Sequence, residues 1–189
     1  MNSSRLAPLF AVLLMLGLTA CPETSAPRDF GVKPATLTPD WEGDWSELGS
    51  PDESGHFAIK QADQGLLSIS TVDKDKKEQV FEAVVRQASA EKNSKLFFVT
   101  WFDKPGDKLG SVNLMAKGDA DRFYIWHPRH EAIAAAVTAG RLKGKVTKEP
   151  NSSDPHTELE AVDSNYSTLT APEFWDWTAP AGYFKHKGK

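Results

Sequence analysis

Hydrophobic and polar positions alternate in short runs over most of the chain. In one such run Phe57 and Ile59 alternate with Ala58 and Lys60, which is the two-residue period of a half-buried strand. Comparable runs follow one another down to about residue 126, and each ends in a cluster of turn-forming residues. The pattern predicts a mainly β protein, an antiparallel meander that forms a barrel or a sandwich.

One of these runs is apolar on both faces. Residues 96–102, with the sequence LFFVTWF, contain a single polar residue. A strand of this kind is typical of a position in a sheet that is covered on both sides. We therefore expect residues 96–102 to form a central strand.

Residues 128–140 depart from the two-residue period. They are rich in alanine, and Ile133 and Val137 lie one helical turn apart. Pro128 suits the first position of a helix, and Gly140 suits the position just after the last turn. We therefore expect a helix near 128–140 that packs on the sheet.

After this helix, TELEAV and YSTL are interpreted as the last two strands. Thr170 stands three residues before a glutamate, which is the spacing of a capping box. A short C-terminal helix is expected at 173–177. The end of the chain, residues 179–189, is polar and basic, so a frayed tail is expected there.

The N-terminal segment has a pattern of its own. Residues 1–20 contain Arg5, then an apolar run over residues 6–18, then small residues, which is the layout of an export signal. The run is shorter than the roughly 20 residues that a membrane-spanning helix requires. The small residues end on Cys21, the only cysteine in the sequence. Because a lone cysteine in an exported protein has no partner for an internal disulfide, it needs another explanation.

The stretch Leu18-Thr19-Ala20-Cys21 resembles the lipobox of bacterial lipoproteins. This resemblance implies cleavage before Cys21, a diacylglyceryl group on its sulfur and an acyl chain on the new N-terminus. Pro22 stands where many inner-membrane lipoproteins carry aspartate, so the resemblance favours a lipid-anchored protein of the outer membrane that faces the periplasm. The first expected partner is the membrane, through the lipid on Cys21.

These segments predict four parts of the chain. Residues 1–20 are removed, proline-rich residues 21–40 form a lipidated tether, residues 41–178 form one β-rich domain, and residues 179–189 form the tail. Removal of the signal lowers the formal net charge from −4 to −5, because the signal carries Arg5 and no acidic residue. A mildly acidic domain argues against nucleic acid as a partner.

Gly43 and Trp45 open the first strand of the predicted domain. This Gly-x-Trp pair resembles the opening motif of lipocalins and their calycin relatives. The resemblance implies a lipocalin-like barrel whose tryptophan closes one end, often against a later basic side chain. The two strands expected after the helix depart from that family, so another β fold found among lipoproteins stays open.

His127, His130 and His156 are the candidates for a metal site. Zinc sites need three or four converging ligands, and His127 precedes the predicted helix, so it need not face His130. We therefore expect no bound metal and solvent-facing histidines. We expect no other cofactor either, since the chain lacks the glycine-rich nucleotide-binding motifs and the Gly-x-Ser-x-Gly nucleophile motif.

Tryptophans supply the remaining candidates for a ligand or partner surface. These are Trp45, Trp101, Trp126, Trp175 and Trp177. Filling of the core is the alternative explanation for each of them. A cavity lined by Trp45, Trp101 and Trp126 would favour ligand binding, and an exposed aromatic patch would favour a protein partner.

Two function classes follow from these observations. The first is a non-enzymatic binding or interaction module that engages a small apolar ligand or an envelope protein. The second is an envelope hydrolase that acts on peptidoglycan, lipid or polysaccharide. The lack of a recognisable nucleophile, metal or cofactor motif favours the first, whereas a cleft with two facing carboxylates would favour the second.

Overall fold

The computed structural model describes residues 23–48, 56–72, 76–91, 94–119, 121–148 and 154–186. Within these ranges the chain forms a sheet of 11 strands and two α-helices. In chain order they are β1 (Glu23–Pro27), β2 (Gly43–Glu47), β3 (His56–Asp63), β4 (Leu66–Val72), β5 (Glu78–Gln87), β6 (Leu96–Phe102), β7 (Leu109–Lys117), β8 (Arg122–Trp126), α1 (His130–Thr138), β9 (Gly144–Lys148), β10 (Pro155–Leu159), α2 (Asp163–Leu169) and β11 (Ala181–Lys185).

Eight of the strands close into a barrel. The order around the ring is β6, β5, β4, β3, β2, β11, β8 and β7, and β7 pairs with β6 to close it. Every neighbouring pair in the ring is antiparallel. Strands β2 to β8 form the meander, and β11 fills the gap between β2 and β8. The predicted mainly β fold is confirmed, and it takes the form of a closed barrel.

The C-terminal segment completes this barrel. Tyr183 of β11 lies opposite Glu47 of β2 on one side and opposite Phe123 of β8 on the other. The prediction of a polar tail over residues 179–189 was therefore wrong for β11, although the last residues of the chain lie outside the described ranges. The ring of Tyr183 faces the interior and stacks on Phe123 with centroids 4.8 Å apart. This apolar contact explains why so polar a segment forms a strand.

Three further strands of the same sheet, β1, β10 and β9, branch from the barrel at β7. Leu109–Ser111 pair with β1, whereas Leu114–Lys117 pair with β8. Strand β1 also pairs in parallel with β10, which pairs with β9. The branch carries α1 and α2 against the outside of the barrel wall.

The proline-rich segment that follows Cys21 belongs to this branch. Ala26 and Phe30 are fully buried, and the amide of Val32 donates to a carbonyl of β5. The prediction of a tether over residues 21–40 was therefore wrong from Glu23 onward, while Cys21 lies outside the described residues. Extended backbone suits prolines in a spacer and in a strand alike. Glu23–Pro27 form β1, and buried side chains such as Phe30 fix the irregular stretch that follows it.

The two helices of the structure match the helices predicted from the sequence only in part. Helix α1 confirms the prediction near 128–140. YSTL, expected to be a strand, lies within α2, because Asn165, Tyr166 and Leu169 form one buried helical face. Helix α2 is therefore the short helix near the C-terminus. The residues predicted to form such a helix, 173–177, contribute only to a single 3₁₀ turn, Pro172–Phe174. Neither helix within the described ranges has the length and apolar character that would let it cross a membrane.

Two apolar clusters hold these layers together. One fills the barrel, with Trp41, Trp45, Ile59, Leu67, Ile69, Val85, Val99, Met115, Phe123 and Ile125. The other lies between the barrel wall and the helices, with Phe30, Phe98, Leu114, Ile133, Leu142, Leu159, Tyr166, Leu169, Phe174 and Trp175. Strand β6 contributes Phe98 to the outer cluster and Val99 to the inner one. The expectation that residues 96–102 are covered on both faces is therefore confirmed.

Candidate functional site

One end of the barrel is closed by the Gly43-x-Trp45 motif. Gly43 has a φ of 127°, and a Cβ atom there would lie 2.8 Å from Cε of Lys185. The glycine therefore lets this lysine cross the strand at close range. The indole of Trp45 is fully buried, and its Nε1 donates to the carbonyl of Trp41 over 3.1 Å. Lys185 lies opposite Trp45 in the β2–β11 ladder, and its Nζ donates to the carbonyl of Asp40 over 3.1 Å.

A second basic side chain strengthens the closed end. The ammonium of Lys117 lies 5.3 Å from the ring centroid of Trp41, within the range of a cation–π contact. The same ammonium forms an ion pair with Asp40. Lys117 donates a hydrogen bond to Asp40 within this ion pair, and the hydroxyl of Thr38 donates another. These two hydrogen bonds hold the pKa of the Asp40 carboxyl below its usual range. The closed end is thus tied by packing and by charge.

At the opposite end of the barrel, the described residues surround a cavity of about 290 Å³. Residues from six barrel strands line it: Glu47, His56, Phe57, Ile69, Thr71, Phe81, Trp101 and Tyr183. The inner surface is aromatic and aliphatic, whereas the polar groups lie at the rim. An apolar cavity with a few polar groups is the usual form of a small-molecule site. We call it the mouth cavity.

Aromatic rings connect the mouth cavity to the closed end. Tyr183 meets Phe57 edge to face with ring centroids 5.5 Å apart, and it stacks on Phe123. Phe123 in turn lies 4.8 Å from Trp45. Burial raises the pKa of the Tyr183 phenol, and the nearby carboxylate of Glu47 raises it further. The wall of the cavity is therefore apolar, packed and close to one negative charge.

The rim is held by contacts among polar side chains. His56 stacks on His186 with ring centroids 4.7 Å apart. His186 is fixed in turn by a 2.6 Å hydrogen bond between its Nε2 and Oγ of Ser46. The hydroxyl of Thr71 donates to the backbone carbonyl of His56 over 3.1 Å. These contacts order the entrance on the side of β3 and β4.

The structure does not bring the five candidate tryptophans together. Trp101 lines the mouth cavity, whereas Trp45 closes the far end. Trp175 is fully buried in the outer cluster. Trp126 and Trp177 form a pair on the outside of the barrel, with ring centroids 4.8 Å apart. Within the part of the chain that the structure describes, Trp45, Trp101 and Trp126 therefore do not line one cavity.

The structure brings two of the three candidate histidines together. Nδ1 of His127 lies 3.0 Å from Oδ1 of Asn113, and Nδ1 of His130 lies 2.9 Å from Oγ1 of Thr24. His127 and His130 line an open groove beside α1. His156 lies elsewhere, on β10, with its Nδ1 3.6 Å from Glu23. The described residues contain no group of three or more histidine, cysteine or acidic side chains that could hold a metal ion.

The mouth cavity uses residues that the sequence reasoning did not single out. Phe57 and Phe81 pack against the core inside the barrel, and the alternation of apolar and polar residues in β3 and β5 is a usable signal for that orientation. Glu47 and Tyr183 gave no such signal. Glu47 is the last residue of its strand, and Tyr183 lay in the segment predicted to be a tail. Their proximity depends on the pairing of β2 with β11, which no local pattern predicts.

The chain was also compared with known proteins. It matches no family model, no curated protein and no solved structure.

Proposed function

We propose that this chain is a lipid-anchored protein of the cell envelope whose barrel binds a small, mostly apolar molecule in the mouth cavity. One observation carries the proposal of binding. The barrel is plugged at one end, while the other end has a cavity of about 290 Å³ lined by Phe57, Phe81, Trp101 and Tyr183.

The energetics favour a compact ligand. Partly exposed rings and Ile69 line the cavity, and a ligand that covers them gains about 25 cal/mol for each Å² of apolar surface removed from water. Because the rings are held by packing and by the strand ladders, little conformational entropy is lost on binding. A small branched or cyclic molecule fits a cavity of this size, at the lower end of the range for ligand sites.

The cavity lining favours binding over hydrolysis. Glu47 is the single carboxylate among the described residues that line the mouth cavity. A glycoside hydrolase requires a pair of carboxyl groups that flank the scissile bond. The lining therefore supports the binding module rather than the envelope hydrolase.

The lipid anchor is proposed from the resemblance of Leu18-Thr19-Ala20-Cys21 to a lipobox. Two or more acyl chains hold a protein stably on a bilayer. In the native host, we expect the mature chain to sediment with membranes and to carry the mass of its acyl groups. Cys21→Ser should abolish that added mass, and the control Thr24→Ser should retain it. Membrane sedimentation and an unchanged mass in Cys21→Ser would contradict the anchor.

The mouth cavity is tested by blocking it. The full chain is purified in maltoside micelles and titrated calorimetrically with 3,3-dimethylbutan-1-ol, a compact, water-soluble and mainly apolar alcohol. Thr71→Trp places a large ring at the entrance and should weaken binding at least about tenfold, because it fills the volume that the ligand needs. Ser70→Trp is the matched control, since successive residues of a strand face opposite sides of the sheet.

Ser70→Trp should bind the alcohol as the unmodified protein does. If Thr71→Trp and the unmodified protein bind with equal affinity, the mouth cavity is not the site. If titration of the unmodified protein and of Thr71→Trp gives no heat beyond that of empty micelles, the proposed binding of small apolar molecules is wrong.

A further inference from the structure

The rings of the mouth cavity and the carboxylate at its rim combine two features that recognise the same kind of ligand. We infer that the ligand is a small organic cation, an alkylamine or a quaternary ammonium compound. This inference rests on the proposed function, because it specifies the ligand of the same cavity.

The first feature is the set of aromatic rings that line the cavity. Phe57, Phe81, Trp101 and Tyr183 line one cavity of about 290 Å³. The face of an aromatic ring is electrically negative, and a cation within about 6 Å of the ring centroid is attracted to it, most strongly by tryptophan. Several rings around one small volume suit an alkylammonium group, whose methyl groups also bury apolar surface against them.

The second feature is the position of Glu47. Its side chain is exposed at the rim, and it lies opposite Tyr183 in the β2–β11 ladder. The effect of this carboxylate on the pKa of Tyr183 places its negative charge close to an aromatic wall of the cavity. A cation seated against Tyr183 is therefore attracted by the ring and by the carboxylate, whereas an anionic ligand is repelled.

The remaining lining residues do not offset this charge. No lysine or arginine is among the described residues that line the mouth cavity, and His56 is the other ionisable group at the rim besides Glu47 and Tyr183. The ring of His56 stacks on that of His186. The chain as a whole has a formal net charge of −4, so its long-range field also favours the approach of a cation.

Two ligands of the same shape separate charge from apolar contact. Choline carries a trimethylammonium group where 3,3-dimethylbutan-1-ol carries a tert-butyl group. With the full chain in maltoside micelles at low salt, choline should bind about three- to tenfold more tightly than the alcohol, in line with the strength of partly exposed cation–π contacts. Titration calorimetry of both ligands gives this ratio directly.

Glu47→Gln should remove most of the preference for choline over the alcohol, because glutamine keeps the size of the side chain and lacks its charge. Asp44→Asn removes the same charge from the same strand, but Asp44 does not line the mouth cavity. It should therefore keep the preference. Trp101→Leu should weaken the binding of choline more than that of the alcohol, because leucine retains apolar contact and lacks the aromatic face.

The outcomes distinguish the two levels of the proposal. Equal affinity for choline and the alcohol in the unmodified protein overturns the cation inference and leaves the apolar site standing. The cation inference is also overturned if Glu47→Gln and Asp44→Asn reduce the preference for choline equally. The cause of the preference would then be the overall charge of the protein. Absence of binding by both ligands overturns the proposed function itself.

Discussion

Asn165 is a polar side chain that the fold buries completely. Its Oδ1 accepts a hydrogen bond from the amide of Lys143, and its Nδ2 donates to the carbonyls of Lys143 and Glu160, all at 2.7–2.8 Å. A single amide group thus satisfies the backbone on both sides of the β9–β10 hairpin. Buried backbone groups that lose such partners cost more than the bond itself contributes.

We predict that Asn165→Leu lowers the free energy of unfolding by about 2–4 kcal/mol. The variant leaves the amide of Lys143 without its acceptor and removes one of the two donors from the carbonyls of Lys143 and Glu160. Urea denaturation followed by tryptophan fluorescence measures the change. The control Ser164→Ala, at an exposed neighbour on α2, should stay within about 0.5 kcal/mol of the unmodified protein. A loss of stability below 1 kcal/mol in Asn165→Leu would contradict the role of this clamp.

His130 gives the stability of the fold a dependence on pH. Burial lowers the pKa of its imidazole, although the carboxylates of Glu131 and Glu23 oppose that effect and His127 adds to it. Because the folded state holds the neutral ring, the unfolded state binds more protons at mildly acidic pH. The contribution of His130 to stability is therefore present above its unfolded pKa and is lost as the pH falls.

We predict that His130→Asn reduces the loss of unfolding free energy between about pH 7.5 and pH 5. The reduction should be smaller than the change that the uptake of one full proton on unfolding would cause. The change of the urea midpoint with pH measures this effect. Glu131→Gln removes a carboxylate that favours the charged ring, so this variant should lose more stability over the same range. An identical pH dependence in all three proteins would refute this account.

The residue scale also shows what the sequence could reveal about the site. Phe57 and Phe81 were predictable as inward residues, because each belongs to a strand with clear alternation. Trp101 and Trp45 are both tryptophans in predicted strands. The structure places Trp101 in the mouth cavity, whereas Trp45 closes the far end of the barrel. Residue type alone could not separate these roles, since they depend on distance along the barrel axis.

At the scale of elements, the strands that follow one another in the chain were predictable. The meander from β2 to β8 consists of local hairpins with turn residues between them. Strands β1 and β11 were missed because their partners are distant in sequence, as in the pairing of Tyr183 with Glu47. Helix α2 was missed because its apolar residues are few and its buried face includes Asn165.

We predict that hydrogen exchange will protect the segments assigned as tether and tail. The amides of Val32 and Ala35 donate to carbonyls of β5, and those of Lys185 and His186 donate to Asp121 and Asp44 respectively. Exchange at these four amides should be slowed by at least about a hundredfold relative to an unstructured peptide, since they open only with the barrel. Peptides that exchange at the unstructured rate over residues 29–36 or 183–186 would contradict the pairing.

At the scale of the whole molecule, the barrel brings the two ends of the chain into one structure. Strand β11 closes the ring, and β1 joins the branch at β7. In the sequence Pro22 alone separates Cys21 from β1. A lipid on Cys21 would therefore hold the folded domain next to the bilayer, without the long spacer that the sequence suggested.

The most direct test of the central claim is fluorine NMR of the full chain labelled with 5-fluorotryptophan, with 3,3-dimethylbutan-1-ol added to saturation. Single Trp→Phe variants assign the resonances. Binding in the mouth cavity predicts that the resonance of Trp101 shifts most, and that those of Trp126 and Trp177 on the outer wall do not move. Shifts confined to Trp126 and Trp177, or no shift at any tryptophan, would contradict a ligand site in the barrel mouth.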